Sequence, residues 1–150
     1  AKKALNKTDA LDKMEYNKFE AIVLPGGHGQ MFDLAKSETV GKISTQFNKE
    51  GKVIAAICHG PAGFLPAKSD GIPFVSGRKL TSFTNEEERV YKKDELTPFF
   101  LQDALIDEGA DFIEDEPGAV NIIKDGNLIT GQNFQSAKNF AKAVVEYLSY

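Results

Sequence analysis

The chain has one cysteine and two histidines among its 150 residues. A lone thiol, Cys58, cannot close an internal disulfide, which fits a reducing compartment and leads us to expect a cytoplasmic location. Positive charge is not in excess: 18 Lys and Arg face 22 Asp and Glu, and a net charge of −4 gives no electrostatic footing for nucleic acid or an anionic membrane surface. Long hydrophobic runs are missing too. Stretches such as Val53 to Cys58 fall far below the roughly 20 residues that span a bilayer, and the Lys-rich start lacks the apolar stretch of a secretory signal. The phosphate-cradling spacings GxGxxG and GxxxxGK[S/T] are absent, so no nucleotide cofactor is expected. With only His28, His59 and Cys58 as nitrogen and sulfur ligands, a zinc site is a weak reading and no metal is expected. There is no internal repeat, low-complexity tract or linker, and the length suits one domain over residues 1–150.

What is present alternates between buried strand and helix. Residues 1–18 are polar, with a thin stripe of Leu5, Leu11 and Met14, and read as loop with a short surface helix. Phe19 to Pro25 is apolar without alternation, as expected of a strand covered on both faces. Gly26-Gly27-His28-Gly29 is a tight loop. Residues 36–50 carry Val40, Ile43 and Phe47 at helical spacing. Val53 to Cys58 is a second buried strand, and Gly60-Pro61 opens a helix expected to run to about Ala67. Further expected elements are a strand over Lys79–Phe83, a helix over Pro98–Glu108 with Phe99, Leu101, Leu105 and Ile106 apolar, and a strand over Asp111–Glu114. A hairpin follows, Ala119–Ile123 and Asn127–Thr130, turning at Lys124-Asp125-Gly126. The last helix, Phe134–Tyr150, has Phe140, Val144, Tyr147 and Leu148 on one side. Strand, helix, strand, helix in this order is a right-handed parallel βαβ pattern.

Ala56-Ile57-Cys58-His59-Gly60 has the sterics of a nucleophile elbow, a strained turn from strand to helix that needs small residues two before and two after the nucleophile. Ala56 and Gly60 meet that need. A helix N-terminus beside the thiol favours the thiolate, and its N–H groups, from Gly60 onward, can hold an oxyanion. In a straight strand His59 would face away from Cys58, so its help depends on the bend. The competing reading of a lone cysteine in an apolar strand is a small buried hydrophobe. The strand end, the small neighbours, His59 and the Gly-Pro start favour catalysis.

Gly26, Gly27 and His28 sit at the end of the first strand, where open parallel sheets bind ligands, and the Gly27 N–H is a candidate oxyanion donor. His28 is expected on the pocket wall or in solvent. An acid must orient His59. Glu86, Glu87 and Glu88 are the candidates, and all three also suit the first turn of a helix capped by Asn85.

Four segments now stand in order: Leu24-Pro-Gly-Gly-His-Gly-Gln-Met-Phe-Asp-Leu34, Ala55-Ala-Ile-Cys-His-Gly-Pro61, Ser82-Phe-Thr-Asn-Glu-Glu-Glu88 and Leu128-Ile-Thr-Gly-Gln-Asn133. Together they resemble the ThiJ/PfpI superfamily, nearest to its heat-shock chaperone and glyoxalase III branch, from about Phe19 to the C-terminus. The resemblance implies a flavodoxin-like three-layer α/β sandwich with a mostly parallel sheet, ending in a β-hairpin and helix and often dimeric. It implies a site of Cys58, His59 and Glu88 with backbone donors near Gly27. The activities it implies are cofactor-free conversion of methylglyoxal, a small 2-oxoaldehyde, to lactate, a deglycase-like activity, and holdase chaperoning in stress. A redox-sensing cysteine is a further alternative. A glutamine amidotransferase is disfavoured, because those enzymes carry a His-x-Glu pair far beyond the cysteine and no histidine follows His59.

One departure stands out. Members of that family begin with a strand, a helix and a second strand, bearing a glutamate that contacts the nucleophile. Nothing before Phe19 resembles this segment. The expectation is therefore a natural protein longer than this chain, or a separate polypeptide that supplies the segment.

Overall fold

The structure is a computed structural model that describes residues 6–149; the expectations on Leu5 and Tyr150 lie outside them. Its centre is a four-stranded sheet of β1 (Ala21–Leu24), β2 (Val53–Ile57), β8 (Leu128–Gly131) and β7 (Ile122–Asp125), in that spatial order. β1 and β2 run parallel with Leu24 beside Ala56, β2 and β8 run parallel with Ile57 beside Gly131, and β7 closes antiparallel on β8.

β2 is buried throughout because both of its faces are covered. Ile54 and Ala56 join Val40, Ile43 and Phe47 of helix α1 (Glu38–Lys49) in one core. Val53, Ala55 and Ile57 join Phe140, Ala143 and Val144 of the C-terminal helix in the other. Period-two alternation along β2 thus divides a uniformly apolar run between two cores, as a three-layer α/β sandwich requires. Ser37 caps α1 by accepting the Val40 N–H at 3.3 Å.

Smaller elements complete the chain: a hairpin of β3 (Lys68–Ser69) with β4 (Ile72–Pro73), the parallel pair β5 (Lys79–Leu80) and β6 (Asp111–Phe112), and helices α2 (Asn85–Val90), α3 (Leu101–Asp107) and α4 (Ala137–Leu148). At the end of the sheet away from Cys58, the Arg78 guanidinium donates to the Asp125 carbonyl at 2.7 Å, to Asn48 at 3.0 Å and to Asn127 at 3.2 Å.

Several expected boundaries move, each for a local reason. The helix after the cysteine is a five-residue 3-10 turn, Gly60–Phe64. The strand expected to Phe83 stops at Leu80, because the Thr81 N–H donates to the Thr130 side chain at 2.9 Å and the Phe83 N–H to the Cys58 carbonyl at 3.0 Å. The helix expected from Pro98 starts at Leu101, since Phe100 is extended, and its Ile106 is exposed. The hairpin lies further along than expected, turning through Gly126 and Asn127. The last helix opens with a 3-10 turn at Phe134–Ser136 and buries Phe140, Ala143 and Val144, leaving Tyr147 and Leu148 exposed. Between residues 6 and 18 there are only 3-10 turns at Leu11–Lys13 and Tyr16–Lys18. Among the described residues no strand pairs with the outer edge of β1, where Val23 is 47% exposed, and no helix is long and apolar enough to cross a membrane.

β1 and the turn after β2 meet almost without clearance. A Cβ on Gly60 would lie 2.1 Å from the Leu24 carbonyl oxygen. Gly60→Ala is therefore expected to destabilise the fold by roughly 3 kcal/mol, the upper end for overpacking, because the obstacle is backbone. Urea denaturation checks this, and an unchanged midpoint would contradict the packing.

Candidate active site

Cys58 follows β2 with φ +60°, a left-handed backbone that a side chain disfavours. Its N–H donates to the Gly131 carbonyl at 2.9 Å and its carbonyl accepts from Phe83 at 3.0 Å, so the strain is held from both sides. The abrupt bend brings neighbouring side chains together, with Cys58 Sγ 3.3 Å from His59 Nδ1. Gly26 presses on Cys58 from the adjacent strand end: a Cβ there would lie 2.5 Å from Cys58 Cβ and 3.2 Å from its sulfur.

Glu88 arrives on α2. The true cap of that helix is Thr84, not Asn85, in a reciprocal capping box with Glu87. Glu87 is fully buried. Its carboxylate accepts from Asn133 Nδ2 at 2.7 Å, the Gly118 N–H at 3.0 Å and the Thr84 N–H at 3.1 Å. Glu86 is exposed. That leaves Glu88, whose two oxygens each meet one imidazole: His59 Nε2 at 2.6 Å and His28 Nε2 at 2.9 Å. With Glu88 as acceptor, His59 carries its proton on Nε2 and presents a bare Nδ1 to the thiol.

The electrostatics follow from this packing. Burial alone would raise the Glu88 carboxyl, but hydrogen bonds from His59 and His28, and the charge those rings can carry, hold it below the usual carboxylate range. Burial also pushes the Cys58 thiol up to about 11; the N–H groups of His59 and Gly27 facing the sulfur pull the other way, and the charges of Glu87 and Glu88 add to the rise. The helix expected beside the thiol is not found. A five-residue 3-10 turn brings a few N–H groups but no long dipole, and desolvation wins.

Cys58, His59 and Glu88 thus lie in one hydrogen-bonded row. Gly26, Gly27 and His28 line a cavity of about 550 Å³ beside it, together with Phe83, Tyr91 and Phe134. Gly60 is buried below, against the Leu24 and Pro25 carbonyls, and is not among the lining residues. Sequence reasoning missed the grip of His28 on Glu88, the steric role of Gly26 and the clamp by Glu87 and Asn133. The clamp had a signal, since Thr84-x-x-Glu87 has capping-box spacing. A metal ion entering here would meet His28, His59 and Glu88, whose donor atoms lie within 4.8 Å of one another, and would have to displace both ring protons from the carboxylate.

The chain has relatives among known proteins. The model of the DJ-1/PfpI family matches residues 4–147. A probable glutathione-independent glyoxalase of Schizosaccharomyces pombe, hsp3103, is 35% identical over 91% of this chain and 56% of its own length. Glyoxalase 3 of Candida albicans is 35% identical over 97% of this chain and 63% of its own. The crystal structure of glyoxalase III from Candida albicans superposes with a TM-score of 0.79 at 32% identity, covering 91% of this chain and 60% of that one. The Francisella tularensis Rapid Encystment Protein 24 kDa gives 0.88 at 31% identity, covering 91% and 61%. The chain therefore spans about three fifths of the length of these relatives. A family model that runs across nearly every residue, on the same three-layer frame, makes this protein a member of the DJ-1/PfpI family.

Proposed function

We propose that the protein is a glyoxalase III-like enzyme that converts methylglyoxal, and 2-oxoaldehydes generally, to 2-hydroxy acids without a cofactor, through Cys58, His59 and Glu88. The observation that carries this reading is the unbroken row from Cys58 Sγ through His59 to Glu88, at 3.3 and 2.6 Å. The names of the relatives, glutathione-independent glyoxalases, support the same chemistry.

At rest the thiol is protonated, so attack and proton transfer go together. As Sγ bonds to the aldehyde carbon, His59 Nδ1 takes the thiol proton and returns it to the new oxyanion, which the Gly27 N–H supports. The product is a hemithioacetal on Cys58. His59 next removes the hydrogen of that carbon, and the neighbouring carbonyl carbon is protonated, so an enediol relaxes to the thioester of a 2-hydroxy acid. Water, deprotonated by His59, releases the acid and the thiol. The sum is one 2-oxoaldehyde plus one water to one 2-hydroxy acid, with no outside oxidant or reductant. Glu88 keeps the ring aimed and offsets its charge when both nitrogens are protonated.

In this reading the open edge of β1 receives a further strand, from a longer natural protein or a separate chain, because an unpaired strand edge promotes aggregation. The raised thiol pKa weighs against redox sensing, since oxidation follows thiolate character.

Three outcomes are expected. Cys58→Ala abolishes lactate formation from methylglyoxal, and Glu88→Gln lowers kcat by about a hundredfold, the lower end for general acid–base work; an alanine variant of full activity would overturn the assignment. Alkylation of Cys58 by iodoacetamide should keep accelerating as pH rises toward about 11, because the thiolate fraction grows until that point. A plateau near neutrality would show a stabilised thiolate instead.

A further inference from the structure

We infer that the cavity contains a second subsite, outward from Cys58, built for an aromatic ring bearing a negative charge, so that the preferred substrate is an aryl 2-oxoaldehyde with an anionic substituent. This rests on the glyoxalase reading for its chemistry, not for its binding.

The first observation is size. About 550 Å³ falls within the range of sites that enclose drug-sized ligands, and a three-carbon oxoaldehyde leaves most of it unfilled. The second is the wall. Rings follow one another away from the site: His59 to Phe83 at 4.7 Å between centroids, Phe83 to Tyr91 at 5.8 Å, Tyr91 to Phe134 at 5.6 Å. Ring pairs at these spacings are in the attractive range, and a ligand ring laid along them would make the same contacts. Gln135 Nε2 donates to the Tyr91 hydroxyl at 2.9 Å, holding that ring in place. Phe134 keeps 59% of its surface exposed, so it has contact area to offer.

The third observation is charge. Among the described residues Lys93 is the only lysine or arginine lining the cavity, and it is exposed and makes no ion pair. Its position is built. Lys92 turns the chain at φ +56° just past α2, and the Lys93 N–H then donates to the Glu88 carbonyl at 2.8 Å. Leu96 and Thr97 donate back to the Lys93 carbonyl at 2.9 and 3.2 Å. The backbone that carries this cation is thus tethered to Glu88, at the mouth of a cavity lined by Phe83, Tyr91 and Phe134. An aryl carboxylate satisfies ring and charge together. Its conversion follows the balanced scheme above, giving the correspondingly substituted mandelate.

The test compares methylglyoxal, phenylglyoxal and para-carboxyphenylglyoxal as substrates, and measures binding of para-carboxymandelate by calorimetry. The protein should prefer the carboxylated over the neutral aryl substrate in kcat/KM by about fivefold, the scale of one partly exposed ion pair. Lys93→Gln should bring that ratio to about one, Lys93→Arg should keep it, and Lys42→Gln on the far surface should not change it. Phe134→Ala should lower both aryl substrates relative to methylglyoxal by up to about tenfold. Turnover of methylglyoxal with no selection for the carboxylate, or a selection untouched by Lys93→Gln, would overturn the subsite and leave the glyoxalase reading standing. Lys93-dependent binding of para-carboxymandelate without turnover of any oxoaldehyde would overturn the glyoxalase reading and support the subsite.

Discussion

Two hydrogen bonds to the main chain of one residue hold the site together. A cysteine at φ +60° costs roughly 1–3 kcal/mol in backbone strain. It persists because its N–H is bound to Gly131 of β8 and its carbonyl to Phe83. Those bonds also decide what stands opposite the thiol. By tying Phe83 to Cys58, they place the cap of α2 at the next residue, Thr84. From there helical geometry alone carries Glu88 to the imidazoles. Cys58 and Glu88 come from distant stretches of chain, which the bond between Phe83 and Cys58 joins.

The two buried carboxylates of α2 divide their work by environment. Glu87 accepts from amide donors of Asn133, Gly118 and Thr84, so it fixes the helix, and it does not line the cavity. Glu88 is bound by two imidazoles, which can gain or lose protons. Neighbouring residues of one type thus take a structural role and a polar role that responds to chemistry. Burial raises the Cys58 thiol most, and the charges of Glu87 and Glu88 add to that rise.

The parts of the fold legible in the sequence were those fixed by local patterning. β2 was legible as an unbroken apolar run, α1 by Val40, Ile43 and Phe47, and the elbow by the small residues around Cys58. The parts that were not legible turn on side-chain captures between distant segments. Thr130 takes the Thr81 N–H and so ends β5, which no periodicity encodes. Pro61 suits a helix start, but the chain makes only a 3-10 turn there. The pairing of His28 with Glu88 spans 60 positions and sets the His28 and His59 rings 4.0 Å apart between centroids, a tertiary fact. Tyr147 and Leu148 extended the apolar stripe of α4 on paper, but the sheet beneath that helix ends before reaching them.

The guanidinium of Arg78 ties β7, the β7–β8 turn and the last turn of α1 into one knot at the end of the sheet where β2 begins. The opposite end, where β2 stops, is fastened separately, by the bonds of Cys58 to Gly131 and Phe83 and by the Glu87 carboxylate on Asn133, Gly118 and Thr84. The sheet is thus riveted at both ends by side chains and loops rather than by its own ladder. The two sets of rivets share no residue, so loss of one leaves the other in place.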